Sequence, residues 1–187
     1  MKKKLDIILP AHNESGNIIP IYNEITEALA QTIYEYTILF VDDGSTDDTL
    51  LKIKDLTGLD SKVKYIELSR NFGHQNAIKA GLDAASAEVI IMMDCDLQHP
   101  PHLINELLNK YEEGYDVVRT HRIENKNVNF LKRKSSNLFY KFLNKLSDIN
   151  LEQGSADFRL ISGAAIDQLK SFNEFDLFYR GLIKWIG

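Results

Sequence analysis

Short apolar, β-branched runs at residues 5–9, 36–41, 63–68, 88–93 and 117–122 alternate with stretches of helical spacing at 18–30, 47–56, 75–85 and 101–111. This alternation predicts successive βα units. Such a chain has few folds open to it. Right-handed crossovers lay its strands mostly parallel, helices cover both faces of the sheet, and ligands gather beyond the strands' carboxyl ends. A chain of 187 residues is ample for one domain with a sizeable core. The expectation is a single α/β domain over 1–187 with a mostly parallel central sheet.

Composition narrows the function classes. A net charge of −5 argues against nucleic-acid binding as the main task. Cys95 is the single cysteine, which excludes an intramolecular disulfide framework, and its setting in an apolar run points it into the core. The basic start, Met1 to Lys4, is followed by too few apolar residues for a signal-peptide core. No later run approaches the roughly 18–20 apolar residues that span a bilayer.

Every suggestive polar cluster falls at the end of an expected strand. Pro10-Ala11-His12-Asn13-Glu14 follows the first, Asp42-Asp43-Gly44-Ser45-Thr46-Asp47-Asp48 the second, Ser69-Arg70-Asn71-Phe72-Gly73 the third and Asp94-Cys95-Asp96 the fourth. In a parallel sheet these loops share one rim and one crevice. Two carboxylates one residue apart suit a hard divalent cation, Mg²⁺ or Mn²⁺, that keeps positions free for substrate phosphates, and Gln98 can add a carbonyl oxygen. Gly44 permits a turn, and Ser45 to Asp48 cap the next helix. Asp42 and Asp43 then stand adjacent at a strand end, where their repulsion calls for a donor such as a base N–H or a ribose hydroxyl. His12, His74, His99 and His102 read as packing or turn residues, because no second histidine stands at ligand spacing.

Gly-x-Gly-x-x-Gly after the first strand, a phosphate-binding Gly-x-x-x-x-Gly-Lys-Ser/Thr and a Gly-x-Ser-x-Gly elbow are all missing. Dinucleotide dehydrogenases, P-loop NTPases and the usual α/β serine hydrolases lose their main support.

The clusters, in their order, resemble those of family 2 glycosyltransferases, and most closely the polyprenyl-phosphate sugar transferases that include dolichol-phosphate mannosyltransferase. Arg70 to Ala77, Gly154-Ser155-Ala156-Asp157-Phe158-Arg159-Leu160 and Tyr179-Arg180-Gly181-Leu182 are similar as well. The resemblance implies a GT-A-like nucleotide-diphosphosugar domain that moves a hexose from a UDP- or GDP-linked donor, with inversion, to polyprenyl phosphate or to a saccharide. It places Pro10, Ala11, Asn13, Glu14 and Asp42 on the base and ribose, with Gly73 and Lys79 near the nucleotide and Asp43 and Asp94 also binding the nucleotide sugar. Asp94, Asp96 and Gln98 would hold the Mg²⁺ or Mn²⁺. Asp157, with Asp96, is the carboxylate that the family pattern offers to catalysis, as base or as acceptor-positioning group.

Residues 125–147 contain no acid, while Lys126, Lys132, Arg133, Lys134, Lys141 and Lys145 fall among apolar residues at helical spacing. This basic amphipathic segment suits either lipid phosphates at a membrane surface or packing on its own domain. Arg122 is the preferred acceptor-phosphate contact, supported by Lys132, Arg133 and Lys134. Thr120 stands where the family usually has glycine, and Asn125 and Lys126 where a further arginine is frequent. The aromatic-rich residues 172–186 suit covering the site, packing against a second copy or leading into a membrane segment. Taken with the resemblance, these features lead us to expect a cytoplasmic enzyme, peripheral to or anchored at the membrane, in a chain that ends before a membrane region. The competing class is a catalytically idle nucleotide-sugar-binding module.

Overall fold

The computed structural model describes residues 2–121 and 155–170. In chain order the elements are β1 (Lys4–Ala11), α1 (Ile18–Ala28), β2 (Glu35–Asp42), α2 (Thr49–Leu59), β3 (Val63–Glu67), α3 (His74–Ala84) and β4 (Val89–Met92). A 3₁₀ turn (Pro101–Leu103), α4 (Ile104–Glu112), β5 (Val117–His121), β6 (Ser155–Ser162) and α5 (Gly163–Lys170) follow. Each strand and helix expected from periodicity over the described residues is present, with ends displaced by a few residues.

The sheet runs β3-β2-β1-β4-β6-β5. Its first four strands are parallel, with Ile7 between Ile38 on one side and Ile91 on the other. The outer two are antiparallel to their neighbours: Met92 pairs with Arg159 across β4 and β6, and Val118 with Leu160 across β5 and β6. Strand β6 was not among the expected elements, and its insertion separates β4 from β5. Its alternation is masked in the sequence because Arg159, a charge, occupies a fully buried position between Phe158 and Leu160.

Strand alternation divides the core between the two faces. Leu5, Ile7 and Leu9 of β1 pack with Ile18, Ile21 and Ile25 of α1, Ile53 of α2 and Ile104 and Leu107 of α4. Ile8 points the other way, into Ala77, Ile78 and Leu82 of α3 and Ala165, Ile166 and Leu169 of α5. Each such buried aliphatic side chain contributes about 1.5–3 kcal/mol. Helix α3 lies close on β1 because Gly81 has no side chain; a Cβ there would stand 2.4 Å from Ile8 Cγ2. Among the described residues no helix is long and apolar enough to cross a membrane.

Candidate active site

Because β1, β2, β3 and β4 run parallel in register, their carboxyl ends and the loops that leave them share one rim. The first two loops are bonded to each other through side chains. Asn13 takes a left-handed backbone, φ 56°, a conformation its short amide tolerates. Its N–H donates to Ser45 Oγ at 3.0 Å and its Oδ1 accepts the Thr46 N–H at 2.8 Å. The Glu14 N–H donates to Thr49 Oγ1 at 2.8 Å, and the Ser15 N–H to Asp47 Oδ2 at 3.3 Å. Burial raises the Asp47 carboxyl, but hydrogen bonds from the Thr49 hydroxyl and amide and from Ser15 outweigh it and bring the group down to about 2.

The adjacent acids at the end of β2 divide their work. Asp43, 2% exposed, accepts the amides of Phe72 at 2.7 Å and Gly73 at 2.9 Å, so its carboxylate fixes the loop after β3. This supplies the donors that its repulsion with Asp42 requires. Gly44 bends the chain under that loop with φ 63°, and a Cβ there would meet the backbone carbon of Arg70 at 2.3 Å. Asp42 is fully buried. Its Oδ2 accepts the Ser45 amide at 3.2 Å, and its Oδ1 has no hydrogen-bond partner among the described residues. His12 Nδ1 donates to the Asp43 carbonyl at 2.9 Å, which leaves Nε2 to accept from the Asn13 amide at 3.3 Å.

Beyond β4, Asp94 and Asp96 stand on either side of Cys95, which is buried in the core. Burial, and then the charges of Glu14, Asp94 and Asp96, push the Cys95 thiol well up. Asp96 Oδ1 accepts the Gln98 amide at 3.0 Å and closes a tight turn, within which Leu97 has φ 58°. The turn brings His99 back into the interior beside Asp94. His99 is 7% exposed, its ring lies against Phe158 at 5.8 Å, and neither ring nitrogen has a hydrogen-bond partner among the described residues. One oxygen of Asp94 lies 3.8 Å from His99 Nδ1, and the other lies 3.5 Å from His74 Nε2. Ligand atoms of Asp94, Asp96 and His99 fall within 4.8 Å of one another. Two carboxylates and a buried imidazole with unspent nitrogens fit a divalent cation.

These loops enclose an open crevice of about 440 Å³. Pro10, Ala11, Glu14, Asp43, Gly73, Asp94 and Asp96 form its wall together with His12, His74 and Asn71. The remaining residues expected to serve the donor do not line it. Asn13 joins two loops, Asp42 is buried behind them, and Gln98 is exposed next to the acid pair. Lys79, on α3, extends its ammonium to Asp83, one turn along, at 2.8 Å. His74 and His99 were read from the sequence as packing or turn residues, and the structure sets both beside Asp94. The sequence signal for His99 is its place just after an acid pair and before Pro100-Pro101; a search for paired histidines passes over it.

Of the residues expected to serve the acceptor, Asp157 has its backbone in β6, while its side chain, together with Arg122, Lys132, Arg133, Lys134 and residues 125–147 and 172–186, lies outside the described residues. Strand pairing is irregular there. Arg119 faces Arg159 but His121 faces Ser155, so Thr120 alone opposes Ala156, Asp157 and Phe158. Thr120 Oγ1 donates to the Phe158 carbonyl at 2.9 Å and satisfies an acceptor at the irregularity. Bulges of this kind re-aim side chains beside sites.

Residues 6–169 match the family described as Glycosyl transferase family 2. The uncharacterized glycosyltransferase YkcC of Bacillus subtilis is 40% identical over 181 residues, covering 97% of this chain and 56% of YkcC. The bactoprenol glucosyl transferase of Shigella phage SfV is 36% identical over 184 residues, 98% of this chain and 60% of the relative. The chain thus spans a little over half the length of these relatives. Among solved structures, the mannosyltransferase PcManGT from Pyrobaculum calidifontis, in complex with GDP-Man and Mn²⁺, superposes with a TM-score of 0.63 at 16% identity over 97% of this chain and 50% of that one. Glucosyl-3-phosphoglycerate synthase from Mycobacterium tuberculosis, in complex with Mn²⁺, UDP-glucose and phosphoglyceric acid, gives 0.61 at 18% identity, covering 87% and 57%. These two share the GT-A-like fold.

Proposed function

The chain belongs to glycosyl transferase family 2, and from that premise we propose that it is the catalytic domain of a metal-dependent, inverting hexosyltransferase that moves glucose from a nucleotide diphosphate to a polyprenyl phosphate. The observation that carries this reading is the crevice itself, where loops from four parallel strands meet around Asp94 and Asp96. Relatives named bactoprenol glucosyl transferase support the choice of sugar and acceptor.

In this reading Pro10, Ala11, Glu14 and Asp42 receive the base and ribose, while Asp43 keeps the Phe72–Gly73 loop in place beside them. Asp94 and Asp96 hold Mg²⁺ or Mn²⁺, which when bound neutralises the charge that grows on the leaving nucleoside diphosphate. The bond from the anomeric carbon to the diphosphate oxygen breaks as a bond to an acceptor phosphate oxygen forms on the opposite face. A lipid phosphate is already anionic near neutral pH, so no proton need be removed from it. Asp157 then orients the acceptor, and Arg122 with Lys132, Arg133 and Lys134 meets its phosphate at the cytoplasmic face of the membrane.

Titration calorimetry of UDP-glucose and of GDP-mannose, with Mn²⁺ and again with EDTA, tests the donor half of this proposal. Metal-dependent binding of one donor, lost in Asp96→Asn, is expected. Binding that is indifferent to EDTA and to the substitution would remove the metal assignment.

A further inference from the structure

We propose that the groove at the amino ends of β1, β2 and β3 is a second binding site, for a small, soluble, phosphate-bearing and hydroxyl-rich molecule of the sugar-phosphate class. It lies at the end of the sheet opposite the crevice and does not depend on the transferase reading. Register sets its floor. Lys4 pairs with Glu35, Asp6 with Thr37 and Leu39 with Lys64, so all of them stand on one face of the sheet. Further along, α3 covers that face through Ile8. Helix α3 ends at Ala84, and the chain turning there through Ser86 and Ala87 walls a cavity of about 360 Å³ over Thr37 and Leu39. A second cavity of about 630 Å³ shares Glu35, Thr37 and Lys64 with the first and extends past Tyr36 to Lys62.

In a chain of net charge −5 this groove is basic, lined by Lys2, Lys4, Lys62 and Lys64. The other lysines among the described residues are already engaged. Lys3, Lys54, Lys79 and Lys110 pair with carboxylates, and Lys52 and Lys170 donate to backbone carbonyls. None of the four groove ammonium groups has a carboxylate partner among the described residues; Lys62 lies instead over the Tyr36 ring, 4.4 Å from its centroid. The counter-charge at hand is small. Asp6 Oδ2 is taken by the amides of Ser86 at 3.0 Å and Ala87 at 3.1 Å, which leaves Glu35 as the groove's exposed acid. Four unpaired ammonium groups around one concavity suit a phosphate dianion. Glu35 and the hydroxyls of Thr37, Ser61 and Tyr36 line the same space and suit the hydroxyls of a sugar. Strands β1 and β2 are each eight residues long, so about 25 Å separates the groove from the rim where the lipid acceptor is proposed to enter. That distance favours a soluble phosphate over a headgroup.

The test is acetylation footprinting of the lysines of the 187-residue chain, read by mass spectrometry with and without glucose-1-phosphate in EDTA. Each lysine reports its own site, so binding elsewhere does not blur the answer. Labelling of Lys62 and Lys64 is expected to fall at least about fivefold where phosphate holds their ammonium groups, with Lys54 and Lys110 unchanged. Calorimetry of glucose-1-phosphate should show an affinity at least about tenfold weaker in the double variant Lys62→Gln, Lys64→Gln at an unchanged melting temperature. Absence of protection at Lys62 and Lys64 in wild type would overturn the proposal whatever the variant does. Inorganic phosphate binding there as tightly as glucose-1-phosphate would overturn the sugar half of it. Protection by phosphatidylglycerol vesicles in place of glucose-1-phosphate would overturn the soluble ligand in favour of a membrane surface. None of these results bears on the metal-dependent transferase, whose failure would show as loss of UDP binding with this footprint intact.

Discussion

The parallel half of the sheet and its antiparallel edge build their parts of the site in opposite ways. Beyond β1 to β3, side chains of one loop satisfy the backbone of another: Asn13 reaches Thr46, Thr49 takes the Glu14 amide, and Asp43 takes the amides of Phe72 and Gly73. At β5 and β6, where the proposal puts the acceptor, the strand pairing slips so that Thr120 opposes three residues. The lesson is that the proposed donor side is held by a web of loop hydrogen bonds and the proposed acceptor side by one irregular strand pair. Substitutions should therefore separate them.

The largest effect is expected at the carboxylates beyond β4. Asp94→Asn and Asp96→Asn should each lower donor turnover by about 10²-fold or more with little change in melting temperature, since the change is nearly isosteric. Sugar transfer kinetics with Mn²⁺ check this. Gly44→Ala comes next. With φ 63° and a Cβ placed 2.3 Å from backbone, it should cost about 2 kcal/mol or more and weaken donor binding with it. Denaturant unfolding beside calorimetry of UDP measures both. Asp43→Ala strips partners from two amides and should cost about 1–3 kcal/mol, again with weaker UDP binding. If it left UDP affinity intact, the web would not be what shapes the donor site.

Thr120→Val sharpens the other side of the comparison. Losing the hydroxyl's bond to the Phe158 carbonyl should cost about 1 kcal/mol and leave donor affinity unchanged. Thr120→Ser should restore it. The smallest effect is one of pH. The Asp47 carboxyl, ordinarily near 3.8, titrates at about 2 in the folded chain, so its stabilisation is complete above pH 3.8 and is lost as the pH falls through about 2. Asp47→Asn should flatten that part of the acid unfolding curve.

The crevice at the rim of β1 to β4 was legible in the sequence because each of its motifs is local. A strand, a turn residue and a capping cluster lie within about ten residues, and parallel topology alone brings four such clusters together. The antiparallel edge was legible only in part. The pairing of His121 with Ser155 joins segments far apart in the chain, and β6 hides its period behind the buried Arg159. His99, read as a packing or turn residue, does pack on Phe158, but its nearness to Asp94 was not legible for a related reason. Its burial depends on a left-handed Leu97 and on Phe158 arriving from β6, and neither is visible in the spacing of histidines.

The central claim is a metal-dependent transfer of glucose at the rim of β1 to β4. Its most direct test is the incubation of the protein with UDP-glucose labelled in the sugar, short-chain polyprenyl phosphate and Mn²⁺, followed by extraction of the lipid. Label in the lipid fraction with Mn²⁺, absent with EDTA and absent in Asp96→Asn, is the predicted result. Label that persists through both, or UDP-glucose that fails to bind with Mn²⁺ present, would contradict the account.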